Sequence, residues 1–174
     1  MKRPMTTRVL VLSALMAAMS IVLARFCVIW ITPSVRISFG NIPIMLAGLL
    51  FGPLPVALVG AVADIVGAAA LSPYGWYPPL TIGPVLMGLL SGFFRKPVRN
   101  DPKYLKTLAM TLGLNAVVSM GCTTVILSGY NGTPLGALLA VRVPLYVGIA
   151  LVEALVLTLL LRSPVKKYGE ELER

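Results

Sequence analysis

Arg25, Arg36 and Arg142 lie in or at the edge of long apolar runs. A guanidinium there is costly enough to need a reason. Its planar fork matches a carboxylate in two parallel hydrogen bonds, so one reading is recognition of an anion. For Arg25 and Arg36 the competing reading is snorkelling of the charge to lipid headgroups from near a helix end. Arg142 is followed eleven residues later by Glu153. That is about three turns, on the same face but about 16 Å along the axis, too far for a direct pair. Asp64 interrupts another apolar run. An aspartate at a helix centre costs roughly 3 kcal/mol on insertion scales, so it must face a protein interior. It either accepts ligand N–H groups or pairs with an arginine such as Arg36. Proton coupling is the weaker third reading, because Asp64 is taken as the one mid-membrane acid.

Flat side chains gather near these charges. "SPYGWYPP", Ser72 to Pro79, brings Tyr74, Trp76 and Tyr77 into a proline-stiffened loop, and Phe39 follows Arg36 closely. Such rings either form an interfacial belt or stack on a flat heteroaromatic ligand. Asn115 and Asn41 either bond a ligand or tie helices together. Reactive chemistry has little to work with. The chain has no histidine, no GxxxxGK[ST] loop, no HExxH and no GxSxG, so ATP hydrolysis and the common hydrolytic mechanisms are excluded for this chain, and no metal centre is expected. Cys27 and Cys122 read as small buried residues. What remains is binding.

The elements that must position these residues are membrane helices. Of 174 residues, 57% are hydrophobic and 12% charged, about half the charged content of a soluble domain. One bundle uses up the length, so residues 1–174 are expected to form a single transmembrane substrate-binding domain. Gly- and Pro-rich breaks separate six apolar segments: Thr7–Ile31, Gly40–Phe51, Leu54–Leu71, Pro79–Phe94, Tyr104–Ser128 and Leu135–Leu161. The first is too long for a signal-peptide core and reads as an uncleaved helix. The second is too short to cross upright and needs shielding by its neighbours. The expected fold is an all-α, six-helix transmembrane bundle with a short helix 2.

Twelve of the 15 Lys and Arg residues lie before or in the first turn of the first segment, between the fourth segment and the first turn of the fifth, and after the sixth. With six spans these regions share one face, which must be cytoplasmic, with both termini inside. The net charge of +9 is thereby a topology signal rather than a nucleic-acid footprint. Arg25, Arg36 and Arg142 are left over, all in the outer half. The same half holds Tyr74, Trp76, Tyr77, Tyr130 and Asn131. The implied site is an outward-facing pocket for an anionic, partly aromatic small molecule.

The run from Arg36 to Gly92, "RISFGNIPIMLAGLLFGP…" with its AD-x-x-G unit at Ala63–Gly67, resembles the substrate-binding S components of energy-coupling factor (ECF) vitamin transporters, the folate-specific members above all. It departs from their pattern at "WYPPL", where Phe-Pro-Gly is expected. The resemblance implies a bacterial plasma-membrane protein that captures folate from outside. It would then dock on a transmembrane scaffold subunit and two ATPases and topple so that the site faces the cytoplasm. ATP would be used by those partners, with no cofactor in this chain. Spacing alone assigns Ala14 and Ala18 to internal packing. The resemblance instead matches them to the AxxxA that the family's first helix uses against its scaffold partner. It also puts the glutamate tail of folate on the arginines, its pterin on Phe39, Tyr74, Trp76 or Tyr77, and the pterin edge on an acceptor such as Asp64. An S component for a different vitamin, a self-sufficient carrier, a membrane enzyme and a purely structural subunit are the competing classes.

Overall fold

The computed structural model describes residues 6–32, 35–71, 76–100, 104–132 and 134–162. Helix α1 (Thr7–Arg25) leads into an antiparallel hairpin, β1 (Val28–Thr32) and β2 (Val35–Ser38). Then come α2 (Asn41–Phe51), α3 (Pro53–Leu71), a 3-10 turn (Pro78–Thr81), α4 (Ile82–Phe93), the short α5 (Arg95–Asn100), α6 (Tyr104–Asn131) and α7 (Leu135–Arg162). Among the described residues four helices are long and apolar enough to cross a membrane: Thr7–Arg25, Pro53–Leu71, Leu105–Tyr130 and Leu135–Leu161. The segments Asn41–Phe51 and Pro78–Phe93 are apolar but shorter.

Two expectations need correction. The first helix stops at Arg25, not Ile31, so the fold is mostly helical rather than all-α. Residues 28–38 carry Val28, Ile29, Ile31, Thr32, Val35 and Ile37, all β-branched, around Pro33. Such residues lose side-chain freedom in a helix and fit a pleated surface, and the proline cannot continue a helix. The strands pair Val28 with Ser38, Ile29 with Ile37, Trp30 with Arg36 and Thr32 with Val35, with a register shift after Trp30. The connection "RKPVRNDPK" also contains a helix, α5. It buries Val98 in the core cluster while Lys96 is exposed, as an amphipathic turn at a membrane surface does.

Helix α2 explains how a short segment can be so apolar. Nine of its residues, from Ile42 to Phe51, are buried, so neighbours rather than lipid surround it. It contributes to both core clusters. One joins Ile42, Met45, Leu46 and Leu49 to residues of α4, α6 and α7, including Met87, Leu108 and Leu157. The other joins Ile44, Ala47 and Phe51 to Ala17 of α1 and Val56, Val59 and Ala63 of α3. Gly52 turns the chain from α2 into α3 at φ +92°, a conformation that side chains disfavour. The hairpin is pinned where it returns: buried Ser20 donates to the Gly40 carbonyl at 2.6 Å. Beside it, a Cβ on Gly40 would fall 2.6 Å from the Ala24 Cβ.

Candidate functional site

Three polar levels run down the interior. At the end of the bundle where α3 gives way to α4, the indole N–H of Trp76 donates to Thr81 Oγ1 at 3.0 Å. The Thr81 hydroxyl donates in turn to Asp64 Oδ2 at 2.7 Å. Tyr77 packs on Tyr130 of α6, ring centroids 4.8 Å apart and tilted by 48°. The segment entering α4 is thus held to α3 by a hydrogen-bonded chain and to α6 by an aromatic pair. The half-buried Asp64 carboxylate braces this segment. Tyr74 lies outside the described residues, as does the side chain of Arg36, whose backbone is in β2. The half-buried Arg25 lays its guanidinium over Gly67 of α3, where an added Cβ would meet Nε at 3.2 Å. Phe39 is half-buried against the inner core cluster at the entrance to α2.

The second level belongs to Arg142. It is buried, and its Nη1 donates to Thr124 Oγ1 at 3.2 Å and Thr123 Oγ1 at 3.4 Å. Thr123 spends its own proton on the Ser119 carbonyl at 2.6 Å, which leaves its oxygen as the acceptor. The contact sets the register of α6 against α7: each partner is about seven residues, or about 10 Å, from the end of its helix nearest the α6–α7 connection.

The third level is deeper. Asn115, 1% exposed, donates through Nδ2 to Ser91 Oγ of α4 at 2.8 Å, and Ser91 donates to the Met87 carbonyl at 2.8 Å. On α7, Glu153 is 5% exposed and takes a hydrogen bond from the Asn41 side chain at the start of α2. The sequence reading counted Asp64 as the lone mid-membrane acid. Glu153 is a second and is the more deeply buried of the two. By sequence it reads as too far from Arg142 to pair with it, yet an acid nine residues before Arg162 in an apolar run is itself a signal of a buried group. Cys27, expected to be buried, is exposed because the chain has already left α1 for the hairpin. Among the described residues no group of His, Cys, Asp and Glu is arranged to hold a metal ion.

The arrangement places aromatic rings at one end of the bundle, a buried cation below them and buried amide and carboxylate groups deeper still. A family model described as "ECF-type riboflavin transporter, S component" matches residues 4–167. This chain belongs to that family of S components. As an S component it is a membrane transport protein and not an enzyme. The folate transporter FolT of Clostridium novyi (strain NT) is 30% identical to it over 135 residues, covering 77% of this chain and 76% of FolT. A crystal structure of FolT bound with folic acid is similar with a TM-score of 0.76 at 26% identity, over 87% of this chain and 90% of that one. The S component for biotin from an ECF-type ABC transporter reaches a TM-score of 0.68 at 20% identity, over 96% and 95% of the two chains. That second likeness is one of fold alone.

Proposed function

We propose that this S component captures folate at the outer face of a bacterial plasma membrane and hands it to a transport module that uses ATP. The observation that carries this reading is the 30% identity to FolT across most of both chains. The site chemistry supports it. Folate is an elongated anion with a carboxylate-bearing tail and a flat donor-rich head. Arg142, about 10 Å below the outer helix ends, is the buried cation suited to the tail, and Phe39, Trp76 and Tyr77 are rings suited to the head or the linker. Arg25, Arg36 and Tyr74 remain candidates at the mouth.

In this reading the chain is one domain of six membrane crossings with both termini in the cytoplasm. The four long helices cross alone, and the two shorter segments cross shielded by them. The partners are a transmembrane scaffold and two ATPases, with no nucleic acid. Helix α1 supports the docking surface: Ser13, Ala17 and Ser20 are buried, while Ala14 and Ala18 face outward. Small residues on a free helix face let a second helix approach closely. The chain itself binds no ATP and no cofactor.

A second reading, capture of riboflavin, is favoured by the family's description. Calorimetry of the purified protein against folic acid, riboflavin and biotin decides between them. Tight heat with folic acid and none with the others is expected. Heat with riboflavin alone keeps the family and overturns the folate reading. Liposomes carrying this chain alone should accumulate nothing; uptake without ATP would mean a self-sufficient carrier.

A further inference from the structure

The connection from α1 to α2 is unlike a loop that meets water. From Phe26 to Val35 it carries no charged residue, and large apolar side chains in it are left uncovered by the protein. Phe26 is 70% exposed, Ile29 63% and Ile31 49%. The connection from α6 to α7, "NGTP", is by contrast short and polar. The uncovered side chains carry on a face that begins lower in α1. Leu15, Met19 and Val22 are exposed and, with Phe26, are spaced by four, three and four residues, one stripe of a helix. Phe26 itself keeps helical backbone angles at the C-cap of α1.

Helix length sets the height of this segment. The 19 residues of α1 rise about 28 Å, close to the roughly 30 Å of a bilayer's hydrocarbon. With Arg8 in its first turn and Arg25 in its last, the helix is bracketed by cations at the two boundaries. Helix α3 also has 19 residues. The Arg25 guanidinium lies over its Gly67, one turn short of the end at Leu71, so two helices give the same level. The hairpin therefore leaves α1 at the edge of the hydrocarbon.

That height leaves one occupant for the apolar face. Both strands pack on α1, and β2 also packs on α7, so the bundle lies on the other side. The sheet has two strands among the described residues, and each presents an edge of backbone N–H and C=O groups that hydrocarbon cannot satisfy. At the headgroup–acyl boundary, water and headgroups serve those edges while side chains reach the acyl chains, as they do for amphipathic segments lying in a membrane surface. The root is fixed by the Ser20 bond to the Gly40 carbonyl and by the close approach of Gly40 to Ala24.

We propose that Phe26, Ile29 and Ile31 form a lipid-contact surface that seats the α1–α2 hairpin in the headgroup–acyl boundary of the leaflet at that end of α1. The hairpin is then an anchor that ties the entrance to α2 to the bilayer, whichever ligand the protein carries.

The test places a single cysteine, as Ile29→Cys or Ile31→Cys, in a Cys27→Ser, Cys122→Ser protein. The thiol is labelled with an environment-sensitive fluorophore and the protein is put into liposomes. Val117→Cys, at the middle of α6 and exposed, is the deep reference, and Pro134→Cys, also exposed, is the aqueous one. Labels at 29 and 31 should lose most fluorescence to phospholipids brominated near the headgroup end of their chains, and less to those brominated near the methyl end or to aqueous iodide. Val117 should show the reverse order of the two lipids, and Pro134 should respond to iodide. Hairpin labels quenched by iodide alone overturn the proposal, because the face then meets water. Labels quenched best by the deep bromines overturn it by placing the strands in hydrocarbon. Labels shielded from bromine and iodide alike overturn it in favour of a protein partner or a second copy of this chain. Wild-type protein gives a measurement that needs no substitution. A phospholipid carrying a photoactivated diazirine near its headgroup should mark the segment from Phe26 to Ile31, read by mass spectrometry of the digested protein, and an unmarked segment overturns the assignment.

Discussion

The α2–α3–α4 region and the α6–α7 pair are both built from apolar helices rich in glycine, yet their glycines do opposite things. A Cβ on Gly60 of α3 would lie 2.5 Å from the Pro84 carbonyl oxygen of α4, and one on Gly88 of α4 would lie 2.6 Å from Val56 Cγ1. Gly113, Gly121 and Gly129 on α6, and Gly136 and Gly148 on α7, meet nothing within 4 Å. The buried polar residues divide the other way. Among the described residues six of them, Thr111, Asn115, Ser119, Thr124, Arg142 and Glu153, are on α6 and α7, and none is on α2 or α3. One region spends its glycines on closing helices together and, among the described residues, hides a single polar side chain, Ser91 of α4. The other leaves its glycines open and hides most of the buried polar groups, among them the Arg142 that the proposed function assigns to the ligand. Scaffold and reader are separate parts of one bundle.

The largest effect expected from this division is on stability. Gly60→Ala adds one methyl group against backbone that has no rotamer to escape into, so α3 and α4 must part. Overpacking of this kind costs about 1–3 kcal/mol and occasionally more. A marked fall in the thermal unfolding midpoint is expected in detergent or nanodiscs. An unchanged midpoint would mean that the two helices are not as close as the scaffold requires.

Next in size is Arg142. Replacement by Leu should weaken folic acid binding about a hundredfold, near 3 kcal/mol, since one member of a buried charge pair is removed. Lys should recover part of it, having the charge without the fork. Equal loss for a neutral ligand would place Arg142 with the scaffold rather than the reader.

Asp64 is expected to matter less. Thr81→Val removes both hydrogen bonds of the chain from Trp76 through Thr81 to Asp64, and Asp64→Asn weakens the second by taking the charge from its acceptor; each bond is worth about 1 kcal/mol. Folic acid should leave a few times faster in both, by stopped-flow release. If Asp64→Asn is far worse than Thr81→Val, Asp64 touches the ligand as well as the loop. This pair of variants separates the two roles that composition left open for it.

The long segments were legible because a bilayer sets helix length, so uninterrupted apolar runs give α3, α6 and α7 to within a few residues. Helix α2 was legible for the opposite reason, being too short to be lipid-facing. The hairpin at 28–38 was not, since its first strand, Val28–Thr32, is as apolar as the helix before it. Hydropathy is blind to the β-branched pattern that distinguishes them. Within the site, Arg142 stood out by sequence because topology left it unexplained. Its threonine partners did not, nor did the pairing of Tyr77 with Tyr130, because contacts between residues far apart in the chain carry no local signal. Glu153 was visible as an acid in an apolar run and was passed over for want of an arginine at the right spacing. Its partner proved to be the amide of Asn41, at the start of α2.

The smallest effect tests the comparison from its other side. Gly121→Ala makes the same chemical change as Gly60→Ala on a helix where the new methyl meets nothing within 4 Å. Alanine is favoured over glycine in a helix interior by up to about 1 kcal/mol, partly because the unfolded chain has less freedom to lose. The unfolding midpoint should stay level or rise slightly, and folic acid affinity should not change, because Gly121 lies between the level of Asn115 and that of Thr124 without joining either set of hydrogen bonds. The same methyl thus separates the two regions: a cost where helices touch through glycine, and none where glycine faces open space. A Gly121→Ala protein as unstable as Gly60→Ala would mean that α6 is closed against a neighbour at this height. The division between a tight scaffold and an open reading pair would then fail at the position where it is simplest to measure.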